Sequence, residues 1–292
     1  MKEIIVIVGP TGIGKTKLSI MLAKKLDAEI INGDSVSIYK KMDIGSAKPT
    51  IEEREGIPHH LMDRKSPEEE YTVYDYQRDV RKQIDDINKR GKRIIIVGGT
   101  GLYIKAALYN YEFLKEKTKN SYENLTNEEI QEKIKEMDST IDIHVNNRKR
   151  LVRTLNRLEN NLEIPNKKDE VLYPIRVIGL TTSREILYER IHQRVDQMLE
   201  DGLLKEIEKL KPYYEKSRVL NTAIGYKEFS DYLFHEKPLE EVVEQIKKDT
   251  RNYAKRQYTF FRNQMDVTWF ETNFQDFTIT FDQVCAFLEK NK

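Results

Sequence analysis

The feature that most limits the fold of this chain is a glycine-rich turn between a strand pattern and a helix pattern. Residues 9–16 read Gly-Pro-Thr-Gly-Ile-Gly-Lys-Thr and match G-x-x-x-x-G-K-[ST] at every fixed position. The β-branched run Ile4–Val8 before the turn is typical of a parallel strand that is buried on both faces. Apolar residues follow the turn at helical spacing: Leu18, Met21, Leu22 and Leu26. This order of elements predicts a phosphate-binding loop in an α/β protein.

The loop is expected to bind a diphosphate or a triphosphate. Its glycines let backbone N–H groups point inward at the phosphate oxygens, and the helix N-terminus adds partial positive charge. Lys15 supplies a point charge, and the Thr16 hydroxyl can ligate a Mg²⁺ ion that bridges phosphate oxygens. The predicted diphosphate-binding residues are Gly9, Pro10, Thr11, Gly12, Ile13, Gly14, Lys15 and Thr16. The motif leaves open whether the phosphate belongs to a nucleotide.

The rest of the chain predicts an α/β fold, a P-loop NTPase-like parallel sheet flanked by helices. Further buried strand patterns at residues 29–32, 93–97 and 175–180 alternate with helical patterns. Residues 110–171 carry no continuous β-branched run and predict a mostly helical insertion domain. The predicted core domain therefore comprises residues 1–109 and 172–292.

Composition excludes several classes of protein and of site. The 292 residues include 50 Lys+Arg and 49 Asp+Glu, a net charge of +1, so any contact with nucleic acid must come from local basic patches. The apolar runs are far shorter than the roughly 20 residues of a spanning helix, which predicts no membrane partner. No signal peptide is recognisable, which predicts a cytoplasmic location. The single cysteine, Cys285, allows neither an internal disulfide nor a cysteine-based zinc site.

Asp34 is a candidate catalytic residue because it follows the second strand pattern. Ligands of open α/β sheets bind in the crevice at the carboxyl ends of the strands. A carboxylate there could orient Mg²⁺ or take a proton from an attacking group. The alternative is a structural role, with Asp34 or Ser35 as a helix N-cap, and the residues alone leave both open. At this level the generic interpretation is a P-loop kinase that acts on a small hydroxylated acceptor.

Two basic clusters could contact RNA phosphates. The first comprises Arg148, Lys149, Arg150, Arg153 and Arg157, of which Arg150, Arg153 and Arg157 are predicted to share one helix face. The second comprises Lys247, Lys248, Arg251, Lys255 and Arg256, interleaved with Tyr253, Tyr258 and Phe261. Such cations contact backbone phosphate and such rings stack bases. Each cluster taken alone is more often a solvated helix face.

Six motifs in order resemble those of the tRNA dimethylallyltransferases (tRNA isopentenyltransferases). They are the phosphate loop and residues 34–49, 56–63, 97–103, 224–228 and 249–257. The resemblance extends from residue 8 to about residue 262. The chain looks like the bacterial type, since one cysteine cannot provide the zinc finger of eukaryotic relatives.

The resemblance implies a reaction and its participants. A dimethylallyl group would pass from dimethylallyl diphosphate to N6 of the adenosine just 3′ of the anticodon, at tRNA position 37, with release of diphosphate. Asp34 would be the general base, with Lys15 and Thr16 as the other catalytic residues and Thr16 as the ligand of a Mg²⁺ cofactor. The implied partners are dimethylallyl diphosphate and the anticodon stem-loop of tRNA, and a monomer is expected.

The resemblance also implies which residues contact the RNA. The implied tRNA-binding residues are Asp34, Ser35, Val36, Ser37, Thr100, Lys149, Arg150, Leu151, Val152 and Arg153. Three further cations are candidates for contact with either diphosphate or tRNA: Arg251, Lys255 and Arg256.

Two other functions remain as alternatives. An adenylate isopentenyltransferase would use a free nucleotide as acceptor, but such an acceptor needs no basic insertion to grip an anticodon stem. A P-loop small-molecule kinase commonly has an Asp after a buried strand to hold Mg²⁺, whereas here residues 98–100 read Gly-Gly-Thr.

Overall fold

A computed structural model describes residues 1–113, 120–162 and 170–290. The strands in these ranges are β1 Ile4–Val8, β2 Ala28–Asn32, β3 His59–His60, β4 Arg93–Val97, β5 Ile175–Thr181 and β6 Thr268–Glu271. The helices are α1 Lys15–Leu26, α2 Val73–Lys89, α3 Gly101–Leu108, α4 Asn127–Met137, α5 Arg148–Glu159, α6 Arg184–Glu200, α7 Leu203–Leu210, α8 Phe229–His235, α9 Leu239–Gln264 and α10 Phe277–Glu289. Among these helices, none combines the length with the apolar character that a bilayer-spanning helix needs.

The described strands form one parallel sheet in the order β3-β2-β4-β1-β5-β6. Every residue of β1 and β2 is buried, because apolar layers cover both faces of the sheet. The predicted fold class is therefore confirmed. The carboxyl ends of parallel strands lie at one edge, so the loops that follow β1, β2, β4 and β5 are brought together there.

Several elements differ from the sequence-based expectation. β3 and α3 were not predicted, since β3 has only two residues and α3 follows directly on a glycine-rich turn. β3 is held at the sheet edge by His60, whose Nε2 lies 2.6 Å from Glu29 Oε2. Gly202 separates α6 from α7 and has φ of +100°. The last helix begins at Phe277, after the N-cap residue Asp276.

The chain divides into two compact units. One comprises Met1–Tyr109 and Val171–Lys292, and the other comprises Asn110–Glu170. In the second unit, α4 and α5 pack around a small apolar core that contains Ile130, Ile134, Ile143, Leu151 and Leu155. The insertion therefore has a core of its own.

A buried carboxylate holds the loop that follows Asp34. Glu206, on α7, accepts N–H groups from Asp43 and Ile44, each at 2.8 Å, and from Gly45 at 3.1 Å. It also accepts the Tyr226 hydroxyl at 2.8 Å. Glu206 is 9% exposed, so the four donors share one carboxylate as their acceptor and have little access to water in its place.

Replacing Glu206 with Ala is expected to lower the free energy of unfolding by about 3–5 kcal/mol, because buried donors lose their acceptor. Equilibrium urea denaturation measures the change. Glu208→Ala is the matched control, since Glu208 lies on the same helix and is exposed. Equal unfolding free energies in the two variants would contradict the structural role of Glu206.

Candidate active site

The phosphate loop leaves β1 and enters α1 through backbone that only glycine adopts readily. Gly14 has φ of +98°, and a Cβ there would lie 2.7 Å from the ring of Phe277. Gly9 has φ of +141°, and a Cβ there would lie 2.8 Å from the Leu180 carbonyl oxygen. The first N–H groups of α1 have no partner within the helix, so the loop offers a set of donors to an anion.

Lys15 lies inside this loop, where its Nζ donates to the Pro10 carbonyl oxygen at 2.6 Å. Desolvation is the main reason that its pKa is lowered to about 7, and the charge of Arg194 lowers it further. The charge of Asp34 acts in the opposite direction. Lys15, Arg194 and Asp34 are therefore electrostatically coupled around one site.

Binding of inorganic diphosphate is expected to take up a proton through Lys15. An anion favours the charged ammonium, so above about pH 7 a neutral Lys15 gains a proton on binding, and affinity falls as pH rises. Calorimetry at about pH 8 in two buffers of different ionisation enthalpy counts the protons.

Lys15→Arg is the control for that measurement, because arginine stays charged while the titration of diphosphate itself is unchanged. Fewer protons should be taken up by the arginine variant than by the unmodified protein. Equal proton uptake in the two proteins would contradict the assignment to Lys15.

The loop after β2 fixes Asp34 at the same sheet edge. Its backbone N–H donates to Asn32 Oδ1 at 3.0 Å. Its own Oδ1 accepts N–H groups from Val36 at 2.8 Å and from Ser37 at 3.4 Å. The N-cap alternative is wrong, because residues 35–38 form a turn and no helix begins there. Within the described residues the second oxygen, Oδ2, accepts no hydrogen bond, so half of the carboxylate is available.

The turn after β4 interlocks with the Asp34 loop. Gly33 donates to the Val97 carbonyl at 2.7 Å, and Thr100 donates to the Gly33 carbonyl at 3.1 Å. A Cβ on Gly98 would lie 2.1 Å from the carbonyl carbon of Gly33. Thr100 Oγ1 accepts the N–H of Ser35 at 3.1 Å. Thr100 thus positions the residue next to Asp34, in addition to any contact with a ligand.

The charge of Asp34 acts on three tyrosines. Desolvation is the largest cause of a raised pKa in each, to about 12 for Tyr103 and Tyr253 and to a higher value for Tyr76. The negative charge of Asp34 adds to each shift. Tyr253 lies on α9, where Gln257 donates to the Gly99 carbonyl at 2.9 Å. All three phenols remain protonated at neutral pH, and the hydroxyl of Tyr76 donates to the Asn32 carbonyl at 2.9 Å.

Arg194, on α6, is a site residue that the sequence reasoning missed. Its Nε is buried and has no hydrogen-bond partner among the described residues. Desolvation lowers the pKa of Arg194, whereas the charges of Glu53 and Asp34 raise it. A guanidinium that is electrostatically coupled to Lys15 is suited to a polyanion. The available signal was the i, i+4 pair of Arg190 and Arg194 on a helix that starts just after β5.

The residues implied as tRNA contacts differ in exposure. Ser35 and Val36 are partly exposed, whereas Ser37 is buried. A side-chain contact from Ser37 to RNA is therefore not supported.

In the second unit, Lys149, Arg150 and Arg153 are exposed and Val152 is partly exposed. Leu151 is fully buried in the core of that unit. Arg157 lies on the same helix, α5, but is buried, so it is not available for contact with RNA phosphates.

The cations of α9 surround aromatic rings. Arg251 and Lys255 lie 5.8 and 6.0 Å from the ring centroid of Tyr188, and Arg251 Nη1 contacts His192 Nε2. Arg256 lies 5.7 Å from the ring of Tyr253. Lys255 and Arg256 are exposed. Across the described residues, none of the three donates a hydrogen bond to the phosphate loop.

This fold and site define a P-loop α/β protein whose anion-binding loop is paired with a carboxylate at the same sheet edge. A family model described as IPP transferase matches residues 37–264. The chain belongs to this family, which confirms the resemblance drawn from the motifs.

Curated relatives share nearly the whole chain. A tRNA dimethylallyltransferase of Bacillus licheniformis is 47% identical over 285 residues, covering 92% of this chain and 90% of the relative. One of Bacillus anthracis is also 47% identical over 285 residues and covers 92% and 91%.

Solved structures extend the similarity to the fold. Full-length tRNA isopentenylpyrophosphate transferase from Bacillus halodurans superimposes with a TM-score of 0.79 at 38% identity, covering 99% of this chain and 96% of that one. A eukaryotic dimethylallyltransferase acting on tRNA superimposes with a TM-score of 0.80 at 29% identity, covering 100% and 81%.

Proposed function

We propose that the protein is a tRNA dimethylallyltransferase. It transfers the dimethylallyl group of dimethylallyl diphosphate to N6 of the adenosine 3′ of the anticodon. The observation that carries the proposal is that, in a chain of the IPP transferase family, the glycine-rich loop after β1 and the Asp34 loop after β2 lie at the same edge of one parallel sheet. The charge of Asp34 is also coupled to those of Lys15 and Arg194.

The phosphate loop would hold the leaving group. Cleavage of the allylic C–O bond places negative charge on diphosphate and positive charge on the allyl group. The loop N–H groups, Lys15 and Arg194 are fixed in position to stabilise that negative charge. Loss of one such donor typically lowers the rate by about 10²–10³-fold.

A magnesium ion fits this donor set. The Thr16 hydroxyl is exposed at the second position of α1, next to the predicted phosphate position. Mg²⁺ is commonly bound by few protein oxygens together with substrate phosphates and water. When bound by Thr16, it would supply neutralisation of phosphate charge.

Asp34 would activate the acceptor. The adenine amine is a weak nucleophile, and a carboxylate oxygen that accepts its N6–H can take the proton as the C–N bond forms. Oδ1 is held by the turn, so Oδ2 is the oxygen that is available for this contact. The adenine must leave its stack to reach such a site.

The RNA would be held by exposed cations and polar groups. The exposed Lys149, Arg150 and Arg153 of the insertion would contact the anticodon stem-loop through its phosphates. In the core unit, Ser35, Val36 and Thr100 would lie along the tRNA, and Arg251, Lys255 and Arg256 would contact tRNA or diphosphate. The proposed site draws on residues of one chain, so a monomer would suffice, and a tRNA substrate would be met in the cytoplasm.

Transfer of a labelled dimethylallyl group tests this function. The acceptors are unmodified tRNA with adenosine 3′ of the anticodon, the same tRNA with guanosine there, and free AMP. Label in the adenosine tRNA alone supports the proposal. Label in AMP alone would indicate an adenylate isopentenyltransferase. Hydrolysis of nucleoside triphosphate without prenyl transfer would favour the kinase alternative.

A further inference from the structure

The outer face of the phosphate loop is held by two side chains that are remote in sequence. Arg190, on α6, donates from Nε to the Gly12 carbonyl oxygen at 3.0 Å. Thr272, just after β6, donates from Oγ1 to the Ile13 carbonyl oxygen at 3.3 Å. Two successive carbonyl groups of the loop are therefore fixed from outside.

These two contacts determine where the neighbouring N–H groups point. In a trans peptide the C=O and N–H bonds point in opposite directions across the same plane. Holding the carbonyls of Gly12 and Ile13 outward thus turns the N–H groups of Ile13 and Gly14 toward the inside of the loop. Those N–H groups are donors in the expected diphosphate site.

Both side chains are themselves fixed. The guanidinium of Arg190 lies 4.0 Å from the ring centroid of Phe274, a distance suited to stacking. Thr272 is 5% exposed, and its backbone N–H donates to the Thr181 carbonyl at 2.8 Å. The ring of Phe277 covers Gly14 from the same side. Residues 271–277 thus pack against the loop.

We infer that Arg190 and Thr272 are positioning residues for diphosphate binding. They act by orienting the loop N–H groups, and neither needs to touch the diphosphate. The inference rests on the proposed function, in which the loop takes the diphosphate of the prenyl donor. It goes beyond that function because the affinity for diphosphate then depends on residues outside the loop motif.

Thr272→Val is the sharpest test, because it removes only the hydroxyl and changes no charge. The Kd of inorganic diphosphate, measured by calorimetry with Mg²⁺, is expected to rise about 3–10-fold, as is usual for a lost hydrogen bond. The KM for dimethylallyl diphosphate should rise by the same factor, and the Kd for tRNA should stay unchanged. Thr272→Ser should restore the affinity for diphosphate.

Arg190 provides a second, independent series. Arg190→Ala is expected to weaken diphosphate binding about 10–100-fold, since both the orienting bond and a nearby charge are lost. Arg190→Lys keeps the charge without the stacked planar group and should recover only part of the loss. Arg78→Ala is the control for loss of an arginine, since Arg78 is exposed on α2 and pairs with Asp75 and Asp79.

A purely structural role is separable from positioning. A variant that is only less stable loses active protein, which lowers the apparent kcat but leaves Kd and KM unchanged. Unchanged diphosphate affinity in Thr272→Val, or full recovery in Arg190→Lys, would overturn the inference. Failure of the proposed function looks different, because the unmodified protein would then bind no diphosphate or would transfer no prenyl group.

Discussion

Replacement of Asp34 by asparagine is expected to lower the rate of prenyl transfer about 10²–10⁴-fold, the usual contribution of a general base. Asparagine retains an oxygen that can accept the N–H groups of Val36 and Ser37, so the turn should persist. The affinity for tRNA should stay within about 3-fold, because the phosphate contacts are untouched. Single-turnover transfer of labelled dimethylallyl to tRNA, with both substrates saturating, measures the rate of the chemical step.

Two further variants sharpen the Asp34 experiment. Asp34→Ala also removes the acceptor of the turn, so it should be less stable than Asp34→Asn while losing the same catalytic group. Asp266→Asn is the control, because Asp266 is an exposed carboxylate outside the site. A normal rate in Asp34→Asn would remove this carboxylate from the mechanism, whatever the result for tRNA binding.

Replacement of Arg194 by glutamine is expected to lower kcat/KM for dimethylallyl diphosphate about 10²-fold or more. The Arg194 guanidinium is a charged donor that is electrostatically coupled to Lys15 of the phosphate loop, and such donors stabilise developing negative charge. The pKa of Lys15 should rise in this variant, since Arg194 lowers it. The pH at which diphosphate binding begins to take up a proton should therefore increase.

The matched variant Arg194→Lys keeps a charge but loses the planar group. It should retain part of the activity and should leave the pKa of Lys15 lowered. Unchanged kcat/KM in Arg194→Gln would show that the guanidinium does not face the leaving group. An unchanged pH dependence alone would contradict its coupling to Lys15.

The sequence was sufficient for β1, β2, β4 and β5, because these strands are largely buried on both faces. Runs such as Ile4–Val8 and Arg93–Val97 have no solvent-facing side, so they are recognisable without tertiary information. β3 has two residues and carries no such pattern, and its place depends on a hydrogen-bonded neighbour and on the Glu29 contact of His60.

Only those site residues that directly follow a strand were predictable from the sequence. The loop of residues 9–16 and Asp34 each follow a strand directly, so their positions come from the sheet. Arg194 was not predictable, because a polar helix residue ordinarily lies on the solvent side, and its buried Nε is a property of the folded chain. The resemblance implied RNA contacts for whole segments rather than for single side chains. Leu151 lies in one of these segments, but its side chain belongs to the core of its own unit.

The contacts of Arg190 and Thr272 with the phosphate loop have a consequence for synthesis on the ribosome. The loop emerges long before its partners, because Arg190 and Thr272 follow Gly12 and Ile13 by 178 and 259 residues. β1 likewise pairs with β4 and β5, which are made long after it. During the synthesis of these residues the nascent chain therefore carries the glycine-rich loop without its partners, and affinity for diphosphate should appear only after residue 272 has left the exit tunnel.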